Sequence, residues 1–486
     1  MRPRPFSKRV MTRPDSVPQA IWDTLTHEVQ ACFAAVIGRL EQRIADLEAR
    51  LNQNSTNSSR PPSTDPPGLK PKPPTPTGRP KRGGQPGHPK ADRAMVPPEK
   101  LASVTPCKPP ACRRCHRPLE GEDPDPLIHQ VAEWPVVEPV VRESRRHRLR
   151  CPGCGETTCG VLPPGVPADA FGPRLQATLS LLADAYRLSK RPVQQLAKDL
   201  IGLRIAVGMV AKLERPSAVT LEDPVEQLRG SIVEAPVVHI DETSWRQDRK
   251  KAWLWVTATA RATVFTIAET RGGSVARTLL GTERPQVIIS DRFPGYDWIA
   301  VGDGQVCWAH LRRDFPAMID RGGVCEPIGR ELLDASNRLF RWWHRVRDGT
   351  LKRPALIRLV GRVKLRVAWA LARGERCGCG RTEGTCTELP KVEPAFWTFV
   401  RVPGVEPTTN TAERALRHAV IWRRISGGTD SRSGSRLVER MLSAVGRCRQ
   451  HGRNVLDYLT SCFEARLSGE DIPSLLLTEG LGISMS

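Results

Sequence analysis

The sequence has no apolar run approaching the roughly 20 residues that a membrane span needs. Its basic start, Met1 to Val10, is not followed by an apolar signal core, so no membrane role is expected and the expected location is cytoplasmic, at the nucleoid. Acids are scarce beside bases: 52 Asp plus Glu face 74 Lys plus Arg, a formal net charge of +22. That imbalance calls for an anionic partner, nucleic acid before membrane. Hydrophobic residues are also few, at 39%, which implies that part of the chain does not pack. At 486 residues the chain is too long for one ordinary core and predicts several domains. The 14 cysteines, in a reducing compartment, point to metal and not to disulfides.

Residues 22–52 read as a helix. Phe33, Ile37, Leu40, Ile44, Leu47 and Leu51 step by four and three, which makes a short heptad seam. The seam fits a dimer, an intramolecular hairpin or one amphipathic helix packed on its own protein. Residues 53–106 then read as a disordered basic linker, because the sixteen prolines from Arg60 to Pro110 allow no core. Gly78 to Lys90 has the composition of a minor-groove or phosphate-binding arm, or of a solvated spacer.

Residues 107–160 carry two C-x-x-C pairs, Cys112–Cys115 and Cys151–Cys154, with 35 residues between them. Two such knuckles can complete a tetrahedral Zn²⁺ site, and a strand over Val136 to Arg150 would make the module a zinc ribbon. Cys107, His116 and Cys159 are nearby substitutes as ligands. Residues 170–225 look helical. Val193 to Leu200, a turn at Gly202, and Ile205 to Leu213 read either as a helix-turn-helix contacting DNA or as a plain helical hairpin.

Residues 232–465 change to an α/β pattern. Val237 to Asp241 and Gln286 to Asp291 are apolar strands that each end in an acid. Trp253 to Ala258 and Ala262 to Ile267 read as paired strands, and Gln305 to Trp308 as another. Glu331 to Arg373 is mainly helical, within an insertion at about 315–405. A further helix opens near Glu413, with Thr408 or Thr409 as its cap. If the two strands are neighbours, Asp241 and Asp291 emerge at one sheet edge, where two carboxylates repel unless a cation intervenes. Glu413 would complete an oxygen-rich set suited to Mg²⁺ or Mn²⁺, and two such ions can clamp an in-line phosphoryl transfer. Glu242, Asp297 and Asp303 are rival acids, and strand-end aspartates also serve as plain turn caps.

Four further features allow two readings. His310 could contact a phosphate or a metal, or be a buried structural histidine. Arg417 shares the Glu413 face, one turn on, and could pair with it or hold phosphate. Trp342-Trp343 reads first as core packing and second as a base-stacking platform. Cys377, Cys379 and Cys386 offer three thiols, one short of a closed site.

These motifs resemble those of bacterial transposases of the insertion sequence 66 family. Asn52-Gln-Asn-Ser-Thr-Asn-Ser-Ser-Arg-Pro-Pro-Ser-Thr-Asp-Pro is similar to the family's N-terminal signature, and Gly83-Gly-Gln-Pro-Gly-His to its linker box. The C-x-x-C pairs match its zinc module. His239-Ile-Asp-Glu-Thr, Ser290-Asp-Arg-Phe-Pro-Gly-Tyr, Cys307-Trp-Ala-His-Leu-Arg-Arg-Asp-Phe and Asn410-Thr-Ala-Glu-Arg-Ala-Leu-Arg match its catalytic blocks, in order, within about residues 36–445. The resemblance implies a ribonuclease-H-like DDE domain with Asp241, Asp291 and Glu413 as ligands of two Mg²⁺ or Mn²⁺ ions, beside a structural Zn²⁺ on Cys112, Cys115, Cys151 and Cys154. It implies binding to duplex DNA at element ends and target, strand cleavage and strand transfer, a homo-oligomer, and accessory transposition proteins. The Cys377-Gly-Cys-Gly…Cys386 segment and Trp422-Arg-Arg-Ile-Ser-Gly-Gly-Thr depart from the family pattern. A ribonuclease-H-like nuclease that cuts without joining, and a non-catalytic DNA-binding regulator, are the rival readings.

Overall fold

The computed structural model describes residues 18–51, 94–281 and 287–476. The proline-rich linker falls for the most part on 52–93, outside the described residues. The described chain divides into two compact units. One holds residues 18–51, 146–193, 206–281 and 287–476, and the other holds 94–145 and 194–205. The architecture is multidomain and mixed α and β.

Helix α1 (Gln19–Trp22) and helix α2 (His27–Leu51) open the described chain. Of the heptad seam on α2, Phe33, Leu40, Ile44 and Leu47 are all exposed. A short antiparallel pair follows, β1 (Arg148–Arg150) with β2 (Thr157–Cys159). The strand expected from Val136 is therefore only its last three residues; 136–147 form no strand. Successive charged side chains from Arg142 to Arg150 give no apolar face to hold a longer one.

Helices α3 (Pro173–Ser180), α4 (Lys190–Ile201), α5 (Val207–Lys212), α6 (Glu214–Thr220) and α7 (Glu222–Val233) come next. Gly202 ends α4 with φ +68°, a left-handed turn that glycine adopts without strain. Ala177, Leu181, Leu221, Val225, Leu228 and Ile232 share one core with Val238 and Ile240 of the sheet. Much of the helical region thus belongs to the same packed body as the α/β region.

The sheet contains β3 (Val237–Gln247), β4 (Lys250–Ala258), β5 (Thr263–Ala268), β6 (Val287–Ser290) and β7 (Gly304–Val306), with helix α8 (Gly273–Leu280) between β5 and β6. Strand order is β5-β4-β3-β6-β7. The first three strands form an antiparallel meander, while β6 pairs in parallel with β3 and β7 in parallel with β6. Strand β3 runs six residues past Asp241, because Thr243 and Trp245 continue its alternation and pair with β4. Asp241 therefore lies inside a strand and not at its end. Trp308 belongs to a helix and not to β7.

After β7 come α9 (Trp308–Arg321), α10 (Cys325–Arg347), α11 (Arg353–Gly374), α12 (Gly380–Glu388) and α13 (Thr398–Arg401). They build a second core around Trp308, Leu332, Leu356, Phe396, Trp397 and Phe399. Trp343 is in this core, edge-on to Phe399 at 5.2 Å, and Trp342 is partly buried against it. The tryptophan pair packs and does not form an open stacking platform. Helices α14 (Asn410–Ser426), α15 (Arg432–Gln450) and α16 (Val455–Ser468) close the chain. Ala412, Leu416 and Ala419 of α14 lie on Trp245, Leu254 and Val256 of the sheet.

Candidate active site

Alternation along β3 sends Val238, Ile240 and Glu242 into the core shared with α7 and α8, and the odd-numbered residues to the other face. His239 and Asp241 are on that second face. The β3–β6 register pairs Val237 with Val287 and His239 with Ile289, so Asp291, just beyond β6, comes level with Asp241. Helix α14 lies over the same face and carries Glu413 in its first turn. Its far end is fixed to β3 by Arg423, whose guanidinium donates to the Thr243 hydroxyl at 3.0 Å and to the Ser244 hydroxyl at 2.6 Å.

Three backbone joints bring the remaining segments together. Cys307 N–H donates to Ser290 O at 2.8 Å, beside Asp291, and Trp308 N–H donates to Pro407 O at 2.9 Å. Thr409 N–H donates to the Cys307 sulfur at 3.3 Å. The start of α9 is thereby tied to the start of α14, and His310 Nδ1 lies 3.6 Å from Glu413 Oε1, too far for a hydrogen bond. Ligand atoms of Cys307, His310 and Glu413 lie within 4.8 Å of one another. Burial pushes the Cys307 thiol up to about 11. By accepting the Thr409 N–H, the Cys307 sulfur joins the starts of the two helices.

The electrostatics follow from this convergence. Burial, then Glu242, Asp291 and Glu413 in turn, push the Asp241 carboxyl well above its usual range. His310 is held below the ordinary imidazole value by burial and by Arg313, against the opposite pull of Asp291 and Glu413. His239 is held down to about 4 by burial and by Arg414. Both histidines are neutral at pH 7, so neither balances the carboxylates. Asp241 Oδ1 accepts Glu242 N–H at 2.8 Å, and Asp291 Oδ1 accepts Phe293 N–H at 2.9 Å. Among the described residues, Glu413 Oε1 is buried with no hydrogen bond. Hard oxygen donors left partly unpaired in one neighbourhood fit a divalent cation such as Mg²⁺ or Mn²⁺.

The profile of the transposase IS66 family matches residues 170–437, more than half of the chain. The chain belongs to that family. A second family, of unknown function and designated DUF6444, matches residues 12–94. No curated protein matches the chain.

In this transposase the rival acids stand apart. Glu242 faces the opposite core, where the Arg271 guanidinium and the Tyr296 hydroxyl both donate to it. Asp297 and Asp303 are exposed. Arg417 is exposed and, among the described residues, makes no ion pair with Glu413, whose neighbour is the His310 ring. Thr409 occupies the cap position of α14, yet its hydroxyl makes no capping bond and is buried without a partner. Its backbone is committed to the Cys307 joint instead. Cys307 is the neighbour that the sequence reading did not single out as a site residue, although it heads the block that contains His310.

The two cysteine knuckles, each taken by itself, have the same form. Cys112 N–H donates to Arg117 O and His116 N–H to Cys112 O, both at 2.9 Å. Cys151 N–H donates to Glu156 O at 2.7 Å and Gly155 N–H to Cys151 O at 2.9 Å. The residue after each second cysteine has positive φ, His116 at 57° and Gly155 at 76°. Backbone N–H groups of Cys115 and Arg114 lower the Cys112 thiol, and those of Cys154 and Gly153 lower Cys151. Donors aimed at a thiolate are what a knuckle needs before it takes a cation. Cys107 is exposed, and Cys159 ends β2.

Proposed function

We propose that this transposase cuts DNA at the terminal repeats of its element and joins the 3′ ends to target DNA, using Asp241, Asp291 and Glu413 as the ligands of two Mg²⁺ or Mn²⁺ ions. The observation that carries this reading is the delivery of three carboxylates from three separate segments to one sheet face, with no neighbouring cationic side chain paired to Asp241 or Asp291 among the described residues. A meander of three strands followed by two strands parallel to the first supports a ribonuclease-H-like reading of the sheet. The bound ions would supply Lewis acidity, lowering the pKa of the attacking water or 3′-hydroxyl and stabilising the departing oxygen.

The rest is done by the chain. Asp241 is held by strand pairing on β3, and Asp291 by the turn in which it accepts Phe293 N–H. Glu413 is held by the double attachment of α14 to β3 and to α9. A rigid frame of this kind keeps the carboxylates from moving apart under their own repulsion. Neutral His310 offers its unpartnered Nδ1 to a hydrogen bond at the site. Arg292, Arg313 and Arg414 bias the surroundings toward an anionic backbone. The assignment of Zn²⁺ to Cys112, Cys115, Cys151 and Cys154 rests on their sequence pairing and on the matching form of each knuckle.

Incubation of the protein with labelled element ends and target DNA, with and without Mg²⁺, tests the reading. Cleaved ends and joined products should both appear, and only with the ion. Cleavage without joined product would favour a nuclease. Binding with neither product would favour a regulator.

A further inference from the structure

The helices after β7 contain cysteines that the chemistry above does not use. Cys377 and Cys379 lie in the loop after α11, and Cys386 is in α12. The fold adds a fourth, Cys325, the first residue of α10. Cys325 and Cys386 are buried in one apolar cluster, and Cys377 and Cys379 pack against it half-buried.

The local structure brings the four cysteine residues into one neighbourhood. Gly378 has φ +77°, which turns the Cys-Gly-Cys segment sharply, and its N–H donates to Glu383 Oε1 at 2.7 Å. Cys379 caps α12, with Thr382 N–H donating to its carbonyl at 2.9 Å. The Thr382 hydroxyl donates to the Cys325 sulfur at 3.2 Å and accepts from Arg321 at 2.9 Å. Cys386 packs so closely on α11 that a Cβ at Gly374 would collide with its sulfur.

We propose that Cys325, Cys377, Cys379 and Cys386 are the ligands of a tetrathiolate Zn²⁺ site that pins the α11–α12 turn to the start of α10. The electrostatics support this placement. Backbone and side-chain donors, the Cys325 thiol among them, pull Cys379 down to about 7. Burial, then Cys377, Glu375 and Cys325, push Cys386 up to about 12, so the thiols act on one another. A soft divalent cation would turn that repulsion into binding. Zn–S bonds of about 2.3 Å place the four sulfurs about 3.8 Å apart. No three of these sulfurs lie within 4.8 Å of one another, so the loop thiols Cys377 and Cys379 must rotate inward onto the two helix-borne ones.

The test uses the full-length protein, purified under reducing conditions and loaded with Zn²⁺ or Co²⁺ alone. A Cys325→Ser, Cys379→Ser variant should bind one equivalent less than the wild type. It should also lose the matching part of the thiolate-to-cobalt charge-transfer band. The same decrement should appear in a background with Cys112, Cys115, Cys151 and Cys154 changed to Ser, which separates this site from the knuckles. A second measurement needs no variant: in the wild type, Zn²⁺ should protect Cys377 and Cys379 from alkylation and a chelator should reverse this, as read by peptide mass. Unchanged metal content in a variant with native circular dichroism overturns the proposal. So does alkylation indifferent to Zn²⁺, or a Cys325–Cys379 disulfide that forms in place of metal binding.

Discussion

Asp241 and Glu242 are adjacent on β3, yet alternation gives them opposite tasks. Asp241 faces Asp291 and Glu413; Glu242 faces Arg271 and Tyr296 in the core. Asp241→Asn, Asp291→Asn and Glu413→Gln keep shape and remove one anionic ligand each. Each is expected to lower cleavage and strand transfer by at least a hundredfold while DNA binding persists, with exposed Asp297→Asn as the active control. Wild-type cleavage by any of the three removes that residue from the site. Glu242→Gln is not a neutral control, because it strips a buried carboxylate from an arginine; its effect should appear first as lower stability. A second residue-scale expectation concerns Asp184, buried in the π-helical turn at 181–185 that follows α3. Burial, then Glu214, raise its carboxyl to about 8 against the pull of Lys190. The raised folded value means that the folded state holds the proton better than the unfolded state. Its contribution is full below about pH 4 and is lost as pH rises toward 8. Asp184→Asn should flatten that fall and raise Tm at pH 8 by several degrees. A thermal-melt series from pH 4 to 9 with unchanged slope would refute it.

At the scale of elements, the strands of the meander were legible because Trp253-Leu-Trp-Val and Val264-Phe-Thr-Ile are apolar, aromatic and β-branched, as half-buried pairs require. The acids at 241 and 291 were visible as interruptions of apolar runs. The continuation of β3 was not, because Asp241-Glu-Thr-Ser looks polar until Trp245 is paired on β4. Packing of α3 and α7 on the sheet was also hidden, since amphipathic helices do not announce their partner. Cys325 was missed for a related reason: the length of two helices and their loop separates it from Cys377, and only the return of α11 along α10 closes that gap. Helix α2 gives a prediction at this scale. Its apolar seam is exposed along Phe33, Leu40, Ile44 and Leu47. A seam with heptad spacing is satisfied by a second copy. Leu40→Glu with Ile44→Glu should therefore reduce the assembled mass in light scattering to that of one chain. An unchanged assembled mass would place the oligomer contact elsewhere.

For the whole molecule the governing quantity is charge. The net +22 is not confined to the segment before the packed body. Residues 170–486 alone hold 48 basic and 34 acidic side chains, a net +14. General attraction to a polyanion should thus survive removal of residues 1–169. Recognition of a particular end should not, if the basic linker and the cysteine knuckles contribute the groove and phosphate contacts that fix register. A cut at 170 is also the one that the packing permits. Helix α3 starts at Pro173 and shares a core with the sheet, so a cut near 225 would strip apolar surface from Val238 and Ile240. The full chain should bind element ends with a steep salt dependence, losing about 10³–10⁵ in affinity between 50 and 200 mM salt if roughly six to ten phosphates are engaged. The 170–486 chain should bind duplex DNA with a shallower slope and no preference for element ends over random sequence. The measurement is a titration of both proteins against both duplexes at several salt concentrations. An end preference retained by the shorter chain would move recognition into the helices and sheet. Equal slopes for the two proteins would mean that the N-terminal cations touch no phosphate.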